Sequence, residues 1–158
     1  MTERSVTHAT FCLERSYQAS PQRVFHAFAD PEAKARWFAG PEEWVPPVAE
    51  VDFRVGGRET NVGGPKGGPV SRFDAIYQDI VPDERIVFSY DMHLDDRRIS
   101  VSLTTIEFKP EGSGTRLVFT EQGAYLDGWD NPADREEGTA GLLDALGAEL
   151  ERQKSALR

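Results

Sequence analysis

A carboxylate near the end of the last strand-like run is the residue best placed for chemistry. In the run 115–122, Leu117, Phe119 and Glu121 occupy alternate positions, so their side chains should face the same side of a strand. If that side is the core, Glu121 lies at the rim of an interior space. There it can orient a polar group of a ligand, or act as a general base if burial raises its pKa. The same pattern is consistent with a Glu121 that reaches solvent or pairs with an arginine.

The other residues with chemistry to offer are Tyr90, Asp91 and His93, on one strand-like run. His93 follows the alternating part of that run, where it could face the mouth of a cavity. The remaining histidines, His8 and His26, are far from it, and none has a cysteine or carboxylate at metal-ligand spacing. No GxSxG or CxxC motif is present. We therefore predict no metal and no cofactor, and we assign no catalytic residue.

Aromatic side chains can form a pocket for an apolar molecule, because several of them also carry a polar atom that fixes orientation. The same residues also suit a plain core. Tyr125 and Trp129 stand out because YLDGWDNP links the last strand to the final helix. The full set of candidate cavity residues is Trp37, Phe38, Trp44, Phe53, Phe88, Tyr90, Phe119, Glu121, Tyr125, Trp129, Leu143 and Leu146.

A glycine-rich segment, residues 56–69, reads GGRETNVGGPKGGP. A phosphate-binding loop needs a Gly-Lys-Ser/Thr ending that leads into a helix. Here Lys66 is followed by Gly67 and Gly68 and then by another strand-like run. We interpret the segment as a flexible hairpin tip, which could cover one end of a cavity.

Length and composition favour one cytoplasmic domain spanning residues 1–158, which is large enough to bury roughly 70% of its unfolded surface. The net charge of −9, from 27 acidic and 18 basic residues, argues against nucleic acid or an anionic membrane as a partner. No apolar run approaches the ~20 residues of a membrane span, and the N-terminus does not resemble a signal peptide. The lone Cys12 excludes an internal disulfide, fits a reducing compartment, and should be at least half-buried and inert.

The final helix is predicted from the spacing of its leucines, which form one apolar stripe. Asn131 can cap a helix whose first turn contains Pro132, although Gly138 and Gly141 weaken the early turns, so firm helix should begin nearer Thr139. The stripe consists of Leu142, Leu143, Leu146, Leu150 and Leu157.

A glycine in the middle of this helix, Gly147, costs about 1 kcal/mol relative to alanine. It indicates either a close approach of the sheet or room left for a ligand.

Seven strand-like runs and two short helices precede the final helix. The first run has Phe11, Leu13 and Tyr17 on one face, and Ser20-Pro21 and Asp30-Pro31 then open the two helices. The later runs are residues 45–55, 58–62, 73–80, 85–92, 99–108 and 115–122.

The run 99–108 changes phase along its length. Val101 and Leu103 occupy one face, whereas Ile106 and Phe108 occupy the other. This slip predicts a β-bulge near Thr104-Thr105.

Five stretches in this order resemble the START-like (SRPBCC) helix-grip superfamily. The chain is most similar to the branch named after the C-terminal domain of the heat-shock protein 90 ATPase activator, from about Phe11 to Leu150. The stretches are LERSYQASPQRVFHAFADPEAKARWF, FRVGGR, YQDIVPDERIVFSY, GTRLVFTEQG and the final helix. The resemblance implies an α+β helix-grip fold, in which a curved seven-stranded antiparallel sheet wraps around the long C-terminal helix and two short helices lie between strands 1 and 2.

The resemblance also implies a cavity between sheet and helix, which many family members use for lipids, polyketides, plant hormones or other apolar molecules. The leading hypothesis is therefore binding of a small, mostly apolar or amphipathic molecule. One alternative is a cyclase- or hydrolase-type enzyme acting on a polyketide-like or aromatic substrate through Glu121, Asp91, and His93 or Tyr90. Another is a protein-interaction module, either chaperone-linked in a stress response or a homodimer.

Overall fold

Seven antiparallel strands form one sheet in the computed structural model of this chain, which describes residues 3–38 and 44–156, and of residues 44–48 the backbone alone. The strand order across the sheet is β1-β7-β6-β5-β4-β3-β2. The α+β helix-grip fold is confirmed. In chain order the elements are β1 (Val6–Tyr17), α1 (Pro21–Ala29), α2 (Pro31–Ala35), β2 (Trp44–Val51), β3 (Arg58–Pro65), β4 (Ser71–Val81), β5 (Arg85–Leu94), β6 (Arg97–Glu111), β7 (Gly114–Leu126) and α3 (Pro132–Ala156).

The two short helices begin where the sequence predicts, because each has a side chain that caps its first turn. The Ser20 hydroxyl accepts a hydrogen bond from the Arg23 N–H at 3.3 Å, and the Asp30 carboxylate accepts one from the Ala33 N–H at 3.2 Å. A proline follows each cap, at a position where the missing N–H costs nothing. Together the helices cover one end of the sheet.

The long helix α3 begins at Pro132, earlier than the sequence predicts. The Asn131 side-chain oxygen accepts a hydrogen bond from the Ala133 N–H at 2.8 Å, and the helix continues through Gly138 and Gly141. Its predicted apolar stripe is confirmed by the burial of Leu143, Leu146 and Leu150, whereas Leu157 lies outside the described residues.

Helix α3 makes its closest backbone approach to β1 and α1. The Tyr17 hydroxyl of β1 donates a hydrogen bond to the Leu143 carbonyl at 2.7 Å. A Cβ at Gly147 would lie only 3.2 Å from the Tyr17 ring. The interpretation of Gly147 as a point of close approach is therefore confirmed.

The predicted bulge near Thr104-Thr105 is wrong. Strand β6 pairs with β7 in one unbroken register, and its register shift against β5 lies at Ile99. The phase slip has another cause: Ser100, Ser102 and Thr104 face inward ahead of Ile106 and Phe108, so Val101 and Leu103 face outward. The inner face of this strand changes from polar to apolar along its length.

The glycine-rich segment is not one long tip. Strand β3 occupies residues 58–65 of it, with one turn before the strand and one after it. A flexible tip would therefore be limited to the second turn, around Gly67, whose φ of 72° favours glycine.

Cys12 is exposed, contrary to the prediction that it is at least half-buried. It faces away from the core because its neighbours Phe11 and Leu13 take the inward positions on β1. Across the described ranges, no helix is long and apolar enough to cross a membrane.

Candidate functional site

The inner face of the sheet is lined mainly by aromatic rings. Phe73 on β4 lies 4.7 Å from Tyr90 and 6.1 Å from Phe88, measured between ring centroids, and Phe11 stacks on Phe119 at 6.3 Å. Phe88, Tyr90 and Phe119 therefore face the interior of the protein. Leu143 and Leu146 of α3 are fully buried.

Glu121 also faces this interior and is only 2% exposed, so it does not reach solvent. Its Oε2 accepts a hydrogen bond from the Tyr90 hydroxyl at 2.9 Å, and its Oε1 accepts one from the Thr104 hydroxyl at 3.0 Å. The period-2 alternation of β5, β6 and β7 brings these three side chains together from adjacent strands.

Arg135, from the first turns of α3, covers this group, and its side chain is only 10% exposed. Its guanidinium donates to the Tyr90 hydroxyl at 2.9 Å, to the Ser100 hydroxyl at 2.9 Å and to the Asp130 carboxylate at 2.6 Å. Its Nη1 lies 3.9 Å from Glu121 Oε2. Arg135 is therefore only a distant ionic partner of Glu121. The direct ionic partner of Arg135 is Asp130.

The electrostatics of this site follow from burial. Loss of solvation raises the pKa of Glu121 above its ordinary value, outweighing the Tyr90 hydrogen bond and the charge of Arg135. Burial by itself would lower the pKa of Arg135, but Tyr90, Asp130 and Glu121 raise it. Arg135 therefore stays charged, and Glu121 is the group most ready to take up a proton.

Ser102 lies beside these residues on the inner face of β6, opposite Tyr90 and Gly123 in the register. It is only 3% exposed, and its hydroxyl has no hydrogen-bond partner within residues 3–38 and 44–156. A Cβ at Gly123 would lie 3.2 Å from the Ser102 hydroxyl and 3.0 Å from the Tyr125 ring. The absence of a side chain at Gly123 thus leaves room for both groups. We call Tyr90, Ser100, Ser102, Thr104, Glu121 and Arg135 the polar cluster.

The sequence places both Tyr125 and Trp129 in the loop before α3, but Tyr125 belongs to strand β7 and only Trp129 lies in the loop. Tyr125 is buried next to the polar cluster, with the Arg135 guanidinium 5.4 Å from its ring centroid. Trp129 instead stacks on Arg97 at 4.1 Å and lines a surface depression of about 670 Å³ with outward-facing Leu126. Trp129 is therefore not part of the interior site.

Three further candidates pack under the short helices. The Trp37 indole donates to the Ala27 carbonyl at 3.0 Å, Phe38 contacts Trp37, and Phe53 meets Tyr77 edge-on at 4.9 Å. They build the core at that end of the sheet. The side chain of Trp44 lies outside the described residues.

Asp91 and His93 lie on the opposite face of the sheet from Glu121 and Tyr90. The alternation of β5 places both outward, and Asp91 pairs with Arg98 at 3.3 Å. The residues of the enzyme hypothesis therefore do not form one site. No group of three or more metal-ligating side chains occurs in the part of the chain that the structure describes.

A second buried polar group lies on β3 and β4, under α2. Lys34 Nζ is 2.6 Å from Glu59 Oε1, which also accepts a hydrogen bond from the Tyr77 hydroxyl. The Asn61 amide donates to Glu59 Oε2 at 2.9 Å. Each polar atom of Glu59 thus has a partner, which is typical of a structural ion pair.

The patterns in the sequence did not predict four residues of the polar cluster, Arg135, Ser100, Ser102 and Thr104. Periodicity predicts that Arg135 lies on a helix, but it does not predict which strand its side chain contacts. The change of phase along β6 could have revealed the three hydroxyl side chains. Such a change is explained by a bulge, or by serine and threonine facing inward to form a polar patch.

Comparison with known proteins places the chain in a family. Residues 18–151 match the family model described as Activator of Hsp90 ATPase homolog 1-like protein. No curated protein matches the chain.

Among solved structures, the Mll3558 protein of Rhizobium loti is 54% identical, with a TM-score of 0.86, over 92% of this chain and 99% of that chain. A protein of Rhizobium leguminosarum is 46% identical, with a TM-score of 0.91, over 96% and 99% of the two chains. The AHSA1-like protein of Aeromonas hydrophila is 22% identical, with a TM-score of 0.69, over 92% and 94%, and it shares the fold. Because the family match spans most of the sequence, this chain belongs to the Activator of Hsp90 ATPase homolog 1-like family.

Proposed function

We propose that this protein binds a small, mostly apolar molecule between the sheet and α3, with the polar end of that molecule at the polar cluster. The observation that carries the proposal is the position of this cluster on an otherwise aromatic inner face. Sites for small molecules typically combine apolar walls with a few convergent polar groups. Unlike the Lys34–Glu59 group, in which each polar atom of Glu59 has a partner, the polar cluster contains a buried hydroxyl, that of Ser102, without a direct hydrogen bond among the described residues.

The packing of α3 also supports the proposal. The helix approaches β1 and α1 most closely, and its residues Leu143 and Leu146 are 1% and 0% exposed. Phe73 and Phe88, on β4 and β5, retain 8% and 9% exposure. Among the inward side chains of β4 and β5, cover is incomplete at Phe73, Phe88 and the partly buried Met92.

A thermal-shift screen against apolar and amphipathic molecules tests this function. A ligand at 100 times its dissociation constant should stabilise the fold by about 2.7 kcal/mol, which corresponds to several degrees in melting temperature. Two variants of β5 locate the hits. Met92→Trp enlarges an inward, half-buried side chain, whereas Ser89→Trp adds the same ring on the outward face.

We expect hits with the wild type and with Ser89→Trp, and their loss with Met92→Trp. A screen without hits, or hits that Met92→Trp leaves unchanged, would contradict binding in this interior.

Proton transfer is a second candidate function, favoured by one observation: Glu121 is buried, has a raised pKa and accepts a hydrogen bond from Tyr90. Such groups are typical of general bases. If a hit is also converted to a product, Glu121→Gln should abolish turnover while the variant still binds the hit. Unchanged turnover in that variant would exclude Glu121 as the base.

A further inference from the structure

We propose that the polar cluster recognises a neutral hydroxyl group, such as a phenol or alcohol, at the polar end of an apolar molecule. This inference rests on the proposed function and specifies its ligand. Ser102 donates a hydrogen bond to the oxygen of that hydroxyl, and Glu121 accepts one from its proton.

Ser102 provides the unused donor. Its hydroxyl is buried and lacks a partner among the residues described. An unsatisfied buried polar group costs about 1–3 kcal/mol. The neighbouring hydroxyls already have partners, since Tyr90 and Thr104 donate to Glu121 and Ser100 accepts from Arg135. Ser102 alone among them forms no direct hydrogen bond with a described residue, although its hydroxyl lies close enough to Glu121 and Tyr90 to oppose the rise in their pKa values.

Glu121 provides the acceptor. Each of its oxygens receives one hydrogen bond, from Tyr90 and from Thr104. A carboxylate offers about four lone-pair positions, so a further donor can be accommodated. The hydroxyl proton of a ligand can therefore supply a further hydrogen bond to this carboxylate.

The charges in the site favour a neutral group. A carboxylate on the ligand would meet Glu121 and Asp130, and Arg135 is already paired with Asp130 at 2.6 Å. An ammonium group would meet Arg135, whose Nη1 lies 3.9 Å from Glu121 Oε2. A ketone or ether can accept from Ser102 but gives nothing to Glu121. A hydroxyl both accepts and donates, and it carries no charge.

Three probes with the same ring test this selectivity: 2-naphthol, 2-methoxynaphthalene and 2-naphthoate. Their dissociation constants are measured by calorimetry on the full chain for the wild type, Ser102→Ala and Ser89→Ala. Ser89 is a serine on the outward face of β5 and serves as the matched control.

We expect the wild type and Ser89→Ala to bind 2-naphthol at least about tenfold more tightly than the other two probes. Ser102→Ala should weaken the binding of 2-naphthol at least about threefold and should weaken the ether as well, because both oxygens can accept from Ser102. Its melting temperature without ligand should not fall, because the substitution removes an unsatisfied hydroxyl.

The hydroxyl preference is overturned if the wild type binds 2-naphthol and 2-methoxynaphthalene equally, or if Ser102→Ala binds 2-naphthol as tightly as the wild type does. In both cases the proposed binding function stands, because the probes still bind. If none of the three probes binds, the result counts against both the hydroxyl preference and the proposed function.

Discussion

Glu121 is a charged residue at a position of β7 where the pattern of the strand predicts an apolar side chain. It continues the inward series of Leu117 and Phe119, where an apolar side chain would be expected. Its charge is tolerated because Tyr90 and Thr104 donate hydrogen bonds to it and Arg135 lies near it. These interactions offset the loss of solvation only in part, since the pKa of Glu121 remains raised.

The raised pKa of Glu121 predicts a pH-dependent stability that Glu121→Gln removes. The folded state holds the proton at higher pH than the unfolded state, whose glutamate pKa is about 4.3. Below that pH the carboxyl is protonated in both states, and the stability that the folded state gains from holding this proton is fully present. It is lost as pH rises through the folded-state pKa, because the folded state then binds more protons than the unfolded state.

Urea unfolding between pH 4 and 8 measures this effect. Relative to Glu121→Gln, the wild type should lose stability as pH rises, by at most about 1.4 kcal/mol per pH unit. Gln122→Glu adds an exposed carboxylate at the adjacent outward position and should keep the wild-type pH dependence. Parallel profiles for the wild type and Glu121→Gln would contradict the raised pKa.

Two helices place buried cations over different strands of the sheet. Helix α3 closes the core with Leu143, Leu146 and Leu150 and places Arg135, from its first turns, over the polar cluster. Helix α2 directs Lys34 to Glu59 on β3. Each helix therefore contributes one buried cation that meets a glutamate of the sheet.

Lys34→Met should strongly destabilise the attachment of α2. It leaves Glu59 as a buried charge without its ionic partner, which typically costs about 3–5 kcal/mol. Chemical denaturation gives the change in unfolding free energy. The double variant Lys34→Met/Glu59→Gln should recover a large part of the loss, because the unpaired charge is removed. A single variant that costs less than about 1 kcal/mol would show that the pair is not a structural requirement.

Gly147→Ala tests the close approach of α3 to β1. Alanine should gain about 1 kcal/mol of helix propensity, but its Cβ would lie 3.2 Å from a Tyr17 ring that the hydrogen bond to Leu143 holds in place. We expect no net gain in unfolding free energy, or a loss.

Gly141→Ala is the matched control in the same helix, because its added Cβ meets no described atom within 4 Å. This control should raise stability by about 0.5–1 kcal/mol. Equal gains in both variants would argue against the close contact at Gly147.

The whole molecule divides into an inner and an outer face of one sheet. The inner face holds the aromatic rings and the polar cluster, whereas the outer face holds ion pairs such as Asp91–Arg98 and the exposed Cys12. The strands also differ in pairing. Strands β5, β6 and β7 each have a paired strand on both sides, and β2 ends the described sheet next to β3.

Hydrogen exchange should therefore be slowest in the centre of the sheet. Amides of β6 should exchange with an opening free energy close to that of global unfolding, since both neighbouring strands must separate first. Amides of β2 that do not pair with β3 should exchange much faster. Mass spectrometry or NMR of the unliganded protein measures both sets. Equal protection in β2 and β6 would contradict the strand order.

Local signals in the sequence were sufficient to predict most of the fold. Ser20 and Asp30 cap the short helices as predicted, because a cap depends only on residues within one turn. Likewise, strict alternation on β5 and β7 placed Phe88 and Glu121 on the inner face, since side chains alternate along any strand. The leucine spacing of α3 was equally informative.

Tertiary structure alone decided which polar groups meet. Arg135 reaches Tyr90 and Ser100 because α3 packs across the sheet, a long-range arrangement that periodicity does not contain. The inward hydroxyls of β6 produce the same phase slip as a bulge, so the sequence pattern alone could not distinguish the two. Trp129 turns outward because the loop before α3 carries it to Arg97. The sequence by itself determined the elements and their buried faces, and packing between elements decided the site.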